Sequence, residues 1–187
     1  MELFASRPVE EVTVMDIAAQ ADMTPAAVYY HFASKEQILL EAVVSFRDGL
    51  LAEVEDASSS VSTGEDLVAF VVHLVDWCSA SVVQARVYFV HSTGLNTLVE
   101  AVRRETRCSL VDSFRFCAAV AHVEVLLDDV ATAETGVVAA ALVSLLEISV
   151  MSCLTHDSMF VALGSEGFRE QVVLLARRII GPLLCES

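Results

Sequence analysis

The stretch TVMDIAAQADMTPAAVYYHFASK, residues 13–35, contains two short helix patterns with a tight connection between them. Thr13 is followed three residues later by Asp16, a variant of the capping box, which predicts that a helix begins here. This helix must end near Ala21, because the next start signal follows almost at once. So short a connection fixes two helices at a steep angle.

The second helix pattern begins at Thr24, a favoured N-cap residue, with Pro25 at the first helical position, and it runs to Phe32. Its outward face carries small residues and aromatic residues with polar tips: Ala26, Ala27, Tyr29, Tyr30 and His31. Small residues let a helix approach a DNA major groove, and the polar tips can reach phosphates or base edges. The pair of helices therefore predicts a helix-turn-helix, although the spacing alone also suits an ordinary helical core.

A third start signal at Ser34 opens a long helix. The segment TPAAVYYHFASKEQILLEAV, residues 24–43, resembles the DNA-binding core of the tetracycline-repressor (TetR) family of bacterial regulators. The resemblance rests on the Tyr-Tyr-His-Phe run at residues 29–32 and on the Lys-Glu pair at 35–36 that opens the long helix. This chain has Ile38 where the family has leucine.

The resemblance implies a DNA-binding domain over residues 1–47, with a truncated first helix, followed by a helical ligand-binding and dimerisation domain over residues 48–187. It implies that one set of side chains holds DNA phosphates: Thr13, Tyr29, His31 and Lys35. It implies that a second set faces base edges: Thr24, Ala26, Ala27 and Tyr30. The implied function is that of a cytoplasmic transcriptional repressor, which binds a palindromic DNA operator as a homodimer and is released by a small apolar effector.

The composition predicts an all-α protein, since 55% of the 187 residues are hydrophobic and only seven are glycine and three proline. The formal net charge is −15. Residues 1–47 contribute three basic side chains against seven carboxylates, a net charge of −4. A DNA-binding domain is usually basic, so this charge predicts weak non-specific affinity for nucleic acid.

Beyond the first long helix, which we expect to end near Ala57, the spacing of apolar residues predicts helices over 64–81, 82–91 and 96–123. The family resemblance implies that helices in this region enclose a ligand cavity. The candidate wall residues are Trp77, Phe89, Phe114 and Met151, each of which would equally suit ordinary core.

Two apolar helices are predicted at the end of the chain, over residues 136–155 and 165–180. The acidic stretch 126–135 predicts a turn before them, and Gly181 with Pro182 predicts a helix stop. The first of the two helices nearly reaches the length of a membrane span, but Glu147 in its middle makes insertion costly. We expect no membrane association, and the resemblance implies that both helices form a four-helix bundle with a second subunit.

The sequence contains no recognisable catalytic or metal-binding constellation. The pair His122 and Glu124 lies two residues apart and cannot share a helix face, so it is a poor metal site. No nucleophile, base and orienting group occur at a known spacing, and neither enzyme activity nor a cofactor is expected. The five cysteines form no C-x-x-C pair and indicate reduced thiols in the core. The arginines within residues 103–107 predict an ion-paired, solvated face.

Two other classes of function stay open. The acidic charge and the short first helix suit an interaction protein that kept the dimerising helices and lost DNA binding. The cavity suits a helical enzyme or a carrier of lipids or other small molecules. Selective binding to DNA separates the repressor from the interaction protein, and turnover of a cavity ligand would mark the enzyme.

Overall fold

A computed structural model of the chain describes residues 1–92, 94, 96–121 and 129–184, together with the side chains of all of these except 129–132 and 182–184. Over these ranges the protein is helical and contains no strand, in agreement with the predicted all-α class. The α-helices are α1 (Glu2–Ser6), α2 (Val14–Gln20), α3 (Pro25–His31), α4 (Lys35–Ser58), α5 (Gly64–Ala80), α6 (Val82–Ala85), α7 (Thr97–Ala121), α8 (Asp129–Thr155) and α9 (Ser158–Leu184).

Side-chain caps define where several helices begin, because each supplies a hydrogen-bond acceptor to a backbone N–H that has no partner within the helix. Thr13, Thr24 and Ser34 cap α2, α3 and α4, as the sequence predicts. Thr63 and Asp66 form a full capping box at the start of α5. These helix starts are therefore set by local sequence.

The C-terminal helices pack around α7, which lies against α4 and α8, while α5 packs against α8 and α9. Phe114 of α7 is fully buried, and its ring centroid lies 4.8 Å from that of Phe70 of α5. The buried residues form one continuous core that also includes Phe4 of α1 and Val12, next to α2. The helices α1 and α4 therefore share a core with the C-terminal helices.

The helix α4 runs through the predicted domain boundary at residues 47 and 48 without a break. Just before that boundary, the ring of Phe46 contacts three aromatic side chains of the C-terminal part. The centroid distances are 5.6 Å to Trp77, 5.0 Å to Tyr88 and 5.9 Å to Phe89. A single helix thus connects the N-terminal helices to the aromatic core of the remainder.

A π-helical turn at Arg86–His91 follows directly after α6. The combined segment is bent by 96° from α5 and packs against α1 and α4. His91 lies next to the backbone of Ala5 in α1. On the other side, Arg103 of α7 donates to the carbonyl oxygen of Tyr88, and its guanidinium lies 5.2 Å from the centre of the Tyr88 ring. The turn is therefore held from both sides.

Three predicted boundaries near the end of the chain are wrong. Residues 129–135 belong to α8 rather than to a turn, since alanines and acidic residues suit the first turns of a helix; residues 126–128 lie outside the described ranges. The final helix begins at Ser158, earlier than predicted, and is interrupted at Gly164, which has a φ of 68°. Gly181 does not end α9, because it does not adopt the positive φ of a glycine helix stop.

The stretch Ala133–Thr155 of α8 has a mean hydropathy of 2.2 and is long and apolar enough to cross a membrane by length and composition. Half of that stretch is buried against other helices. Glu147 near its middle forms an ion pair with Arg107 of α7. These are the features of a core helix, as the sequence predicts.

Replacing Phe114 by alanine should lower the free energy of unfolding by about 3–5 kcal/mol, because a fully buried ring leaves a cavity beside Phe70. Phe116, on the same helix but 67% exposed, is the matched control, and its replacement by alanine should cost less than about 0.5 kcal/mol. Urea denaturation followed by circular dichroism measures both. Equal losses would contradict the described packing of α7.

Candidate functional site

The helices α2 and α3 pack against each other as a helix-turn-helix pair, in which Ala18 and Val28 are buried. In the turn, the N–H of Met23 donates to the carbonyl of Ala18 at 2.8 Å and that of Asp22 donates to the carbonyl of Ala19 at 3.3 Å. This is the hydrogen-bond pattern of a Schellman turn. Asp22 has a φ of 53°, a left-handed conformation that aspartate tolerates better than most residues. The turn therefore fixes how α3 is presented.

Two of the residues predicted to contact DNA, Thr13 and Thr24, are helix caps. The Thr13 hydroxyl oxygen accepts from the N–H of Asp16 at 3.1 Å, and that of Thr24 accepts from the N–H of Ala27 at 3.2 Å. In return the Thr13 N–H donates to the Asp16 carboxylate at 3.0 Å, which lowers the pKa of that carboxyl group. Both threonines are exposed, so the starts of α2 and α3 face solvent.

The outward face of α3 carries the remaining predicted contact residues of this helix. Tyr29 and Tyr30 are 57% and 85% exposed, and Ala26, one turn earlier, is exposed as well. Their spacing places these three side chains on one side of the helix. Ala27 is half-buried, and the exposed His31 holds its ring 5.2 Å from that of Tyr30. The structure thus gathers these residues on one solvent-facing surface.

Lys35, the one lysine of the chain, lies in a different environment from that surface. Its ammonium group donates to the carbonyl oxygens of Val9 at 2.8 Å, Glu10 at 3.2 Å and Val12 at 2.8 Å. An ammonium group has three hydrogens, so all are used in this arrangement. The sequence assigned Lys35 to a DNA phosphate, whereas its observed contacts tie the start of α4 to the segment between α1 and α2.

The arginines near the helix-turn-helix are also paired. Arg7 lies 3.7 Å from the Asp16 carboxylate, and Arg47 lies 2.8 Å from that of Asp48. Side chains that are already paired add little positive potential to a surface. The domain therefore offers DNA mainly hydroxyl, imidazole and backbone N–H groups.

A second feature is a pocket of about 560 Å³ between α5, α6, the end of α8 and α9. Its apolar lining is provided by Val72, Val75, Val82, Leu154, Phe160, Phe168 and Val172. Ser79 and Arg86 also line it, and the other polar lining residues are Asp76, His156, Ser165, Glu166 and Arg169. The volume and the mainly apolar lining are those of a small-molecule site.

The four side chains predicted as cavity walls do not line this pocket. Trp77 and Phe89 pack against Phe46 of α4, and Phe114 is fully buried against Phe70. Met151 is partly buried against the same core. Large apolar side chains occur at the same helical spacing whether they fill a close-packed core or line a cavity. The spacing of apolar residues therefore did not distinguish a cavity wall from a core position.

Sequence reasoning missed Arg86 and Ser79 as pocket residues. The signal was present in the segment VVQARVYFVH, residues 82–91, in which Arg86 is the only residue with a permanently charged side chain. An arginine in an apolar stretch has to be paired, exposed or directed into a site. Which of these applies depends on the neighbouring helices, and the segment alone does not show it.

The arginines of α7 form the ion-paired face that the sequence predicts. Arg103 lies 3.9 Å from Glu100, and Arg107 pairs with Glu147 and donates to Ser144 at 3.0 Å. Within the described ranges, no group of three histidine, cysteine, aspartate or glutamate residues is arranged to hold a metal ion. The pair at residues 122 and 124 lies outside those ranges.

The two short helices α2 and α3 and the exposed face of α3 define a helix-turn-helix domain. Residues 1–42 match the model of the family described as bacterial regulatory proteins, tetR family. The match shows a TetR-type N-terminal domain over these residues.

The chain is also similar to two curated proteins, each named HTH-type transcriptional repressor KstR2, from Mycobacterium tuberculosis strains CDC 1551 / Oshkosh and ATCC 25618 / H37Rv. In both cases 60 residues are 38% identical. The aligned part spans 32% of this chain and 30% of each relative, so the similarity covers less than a third of the relatives' length.

Replacing Lys35 by methionine should lower the free energy of unfolding by about 2 kcal/mol, because three carbonyl groups lose a charged donor while the apolar stem is kept. Replacing the exposed Arg104 by methionine removes a cation from α7 and should change stability by less than about 0.5 kcal/mol. Denaturant unfolding measures both changes. Unchanged stability with lost DNA affinity would instead favour the phosphate contact.

Proposed function

We propose that this protein is a transcriptional repressor that binds a palindromic DNA operator as a homodimer and is released by a small, mainly apolar effector. The observation that carries the proposal is the exposed face of α3, on which Tyr30 remains 85% exposed above a rigid turn. Large aromatic side chains presented to solvent in a cluster are typical of a binding surface. That surface lies within the residues that match the TetR family model.

In this proposal, each helix α3 enters a major groove, and two helices related by two-fold symmetry read successive grooves. Thr24, Ala26, Ala27 and Tyr30 face base edges. Thr13, Tyr29 and His31 hold phosphates. Alanines can contact only a thymine methyl group, so the hydroxyl of Tyr30 supplies most of the hydrogen-bonded discrimination. We assign Lys35 a positioning role, since its hydrogens already bind backbone carbonyls.

The charges around α3 set how binding should depend on salt. The logarithm of the DNA-binding constant falls linearly with the logarithm of the salt concentration. The slope is about −0.9 for each phosphate that a protein cation neutralises. Arg7 and Arg47 are paired with carboxylates, and Lys35 is occupied. The proposed dimer should therefore show a shallow salt dependence, with a logarithmic slope of about −2 to −4. Its specificity should come from contacts with base edges and from shape complementarity rather than from charge.

We expect that replacing Tyr30 by alanine lowers the preference for the operator over unrelated DNA by about tenfold or more, because one base contact is worth about 1–3 kcal/mol. Replacing its neighbour Tyr29 by phenylalanine is the matched control and should weaken binding to both DNAs to a similar extent. Fluorescence anisotropy with a fragment from beside the protein's own gene, at two salt concentrations, measures both effects.

Two results would contradict the assignment. If the Tyr30 variant keeps its full preference for the operator, Tyr30 does not read bases. If the unaltered chain selects no fragment at either salt concentration, DNA binding is lost, and the acidic domain charge then favours an interaction protein.

The proposed dimer uses α8 and α9. Val137 and Ile148, three helical turns apart on one stripe of α8, are 70% and 60% exposed. Leu174 and Leu175 of α9 are also partly exposed. Two packed helices with apolar outer faces can form a four-helix bundle with their copies in a second subunit. Such a bundle would cover these side chains and hold two α3 helices at a fixed separation.

Replacing Ile148 by glutamate should convert the dimer to a monomer, because two like charges would meet near the two-fold axis in an apolar interface. Leu98 of α7 is 61% exposed and lies outside the proposed interface, so its replacement by glutamate is the control and should leave the dimer intact. Sedimentation velocity reads out the mass. A monomeric unaltered protein, or a dimer that survives the Ile148 change, would argue against this interface.

The route from effector to DNA passes through α6 and the π-helical turn. This segment supplies Val82 and Arg86 to the pocket, and it packs against α1 and α4 of the N-terminal part. A ligand that binds one position of this segment more tightly than another would favour that position and so change the separation of the two α3 helices. Only such a difference in affinity between the two conformations can act as a switch. We therefore place the effector in this pocket. The proposed function is cytoplasmic and requires neither catalysis nor a cofactor.

A further inference from the structure

The pocket between α5, α6, α8 and α9 contains an arginine whose charge is not balanced. Among the described residues, the guanidinium of Arg86 has one hydrogen-bond partner, the carbonyl oxygen of Leu154, at 3.5 Å. Its Nε atom is buried and has no partner. No carboxylate of the described residues lies within ion-pair distance of it, although a guanidinium can donate five hydrogen bonds.

A second polar group in the same pocket is also unsatisfied. The hydroxyl oxygen of Ser79 is buried without a partner among the described residues and lies beside the Cys153 thiol, which is only a weak hydrogen-bonding group. Unpaired buried polar groups are rare because each one costs free energy. Two of them, in a pocket that is otherwise mainly apolar, indicate that a ligand supplies the missing acceptor.

The remaining charges of the pocket lie at its open side. Arg169 is paired with Asp76 at 3.2 Å, and both side chains are more than half exposed. Glu166 is exposed and adds a negative charge to the lining. The cation that lacks a carboxylate is therefore Arg86, set among valine, leucine and phenylalanine side chains. This arrangement fits one negative charge and disfavours a doubly charged phosphate group.

We infer that the pocket binds a small amphipathic carboxylate, whose carboxyl group pairs with Arg86 and accepts from Ser79 while its apolar body lies against Val72, Val75 and Phe168. A planar guanidinium binds a carboxylate through two parallel hydrogen bonds, which fixes the orientation of the ligand. This inference rests on the proposed effector pocket and defines the chemical class of its ligand. It also places the anionic group on the segment that contacts α1.

The test uses decanoate as the probe, with 1-decanol as its uncharged counterpart, and isothermal titration calorimetry on the full chain without DNA. Decanoate should bind about ten- to a hundredfold more weakly to the Arg86→Met variant than to the unaltered protein, whereas decanol should bind both alike. The Arg86→Lys variant should recover part of the loss. The Arg104→Met variant removes an exposed arginine outside the pocket and should bind decanoate normally.

Thermal unfolding distinguishes a binding role from a structural one. Removing an unpaired buried charge should leave the melting temperature of the ligand-free Arg86→Met variant unchanged or raise it. A clear fall in melting temperature would show that Arg86 is structural, and this would overturn the inference. The Ser79→Ala variant keeps the arginine and should bind decanoate severalfold more weakly while folding normally. Equal affinity of the unaltered protein for decanoate and decanol would also overturn it.

A final arm separates this inference from the proposed function. Decanoate is added to the protein bound to its selected DNA fragment, and release is followed by anisotropy. Binding of decanoate through Arg86 without release of DNA supports the pocket assignment and contradicts the effector role. Release of DNA by decanoate and decanol alike, independent of Arg86, supports an effector response and contradicts the carboxylate assignment.

Discussion

The contact of Phe46 with the aromatic side chains beneath it is the interaction on which the rest of this structure depends. Phe46 belongs to α4, the helix that starts beside α3 and continues into the C-terminal core. Its ring lies 5.0–5.9 Å from those of Trp77, Tyr88 and Phe89. Packed aromatic rings resist gradual deformation, and the proposed effector response therefore requires α4 to move together with the π-helical turn.

The π-helical turn Arg86–His91 contacts both functional regions of the molecule. At its start, Arg86 lines the pocket, and at its end His91 lies next to the backbone of Ala5 in α1. A segment of six residues therefore connects the pocket proposed for the effector to the N-terminal helices. Burial and the positive charge of Arg86 both lower the pKa of His91. A protonated His91 is therefore disfavoured in the segment that already carries Arg86.

The contacts of two cations differ from those that their positions in the sequence suggest. Lys35 lies in the family motif, yet its three hydrogens bind carbonyls of the segment between α1 and α2. Arg86 lies in an unremarked apolar stretch, yet it is the charged group left without a carboxylate partner in the pocket. The contacts of a cationic side chain depend on which hydrogen-bond acceptors lie within its reach. The packing of segments that are distant in the sequence determines which acceptors those are.

The sequence by itself determined the two short helices and the tight connection between them, because capping at Thr13 and Thr24 and the outward spacing of Tyr29 and Tyr30 depend on residues at most a few positions apart. It also determined the all-helical class and the buried character of α8. Only the tertiary structure decided that Phe114 is core rather than cavity wall, and that Arg86 and Ser79 share a pocket. Both properties depend on how separate helices pack together. Helical periodicity predicts which face of a helix is apolar, but it does not predict which other helix packs against that face.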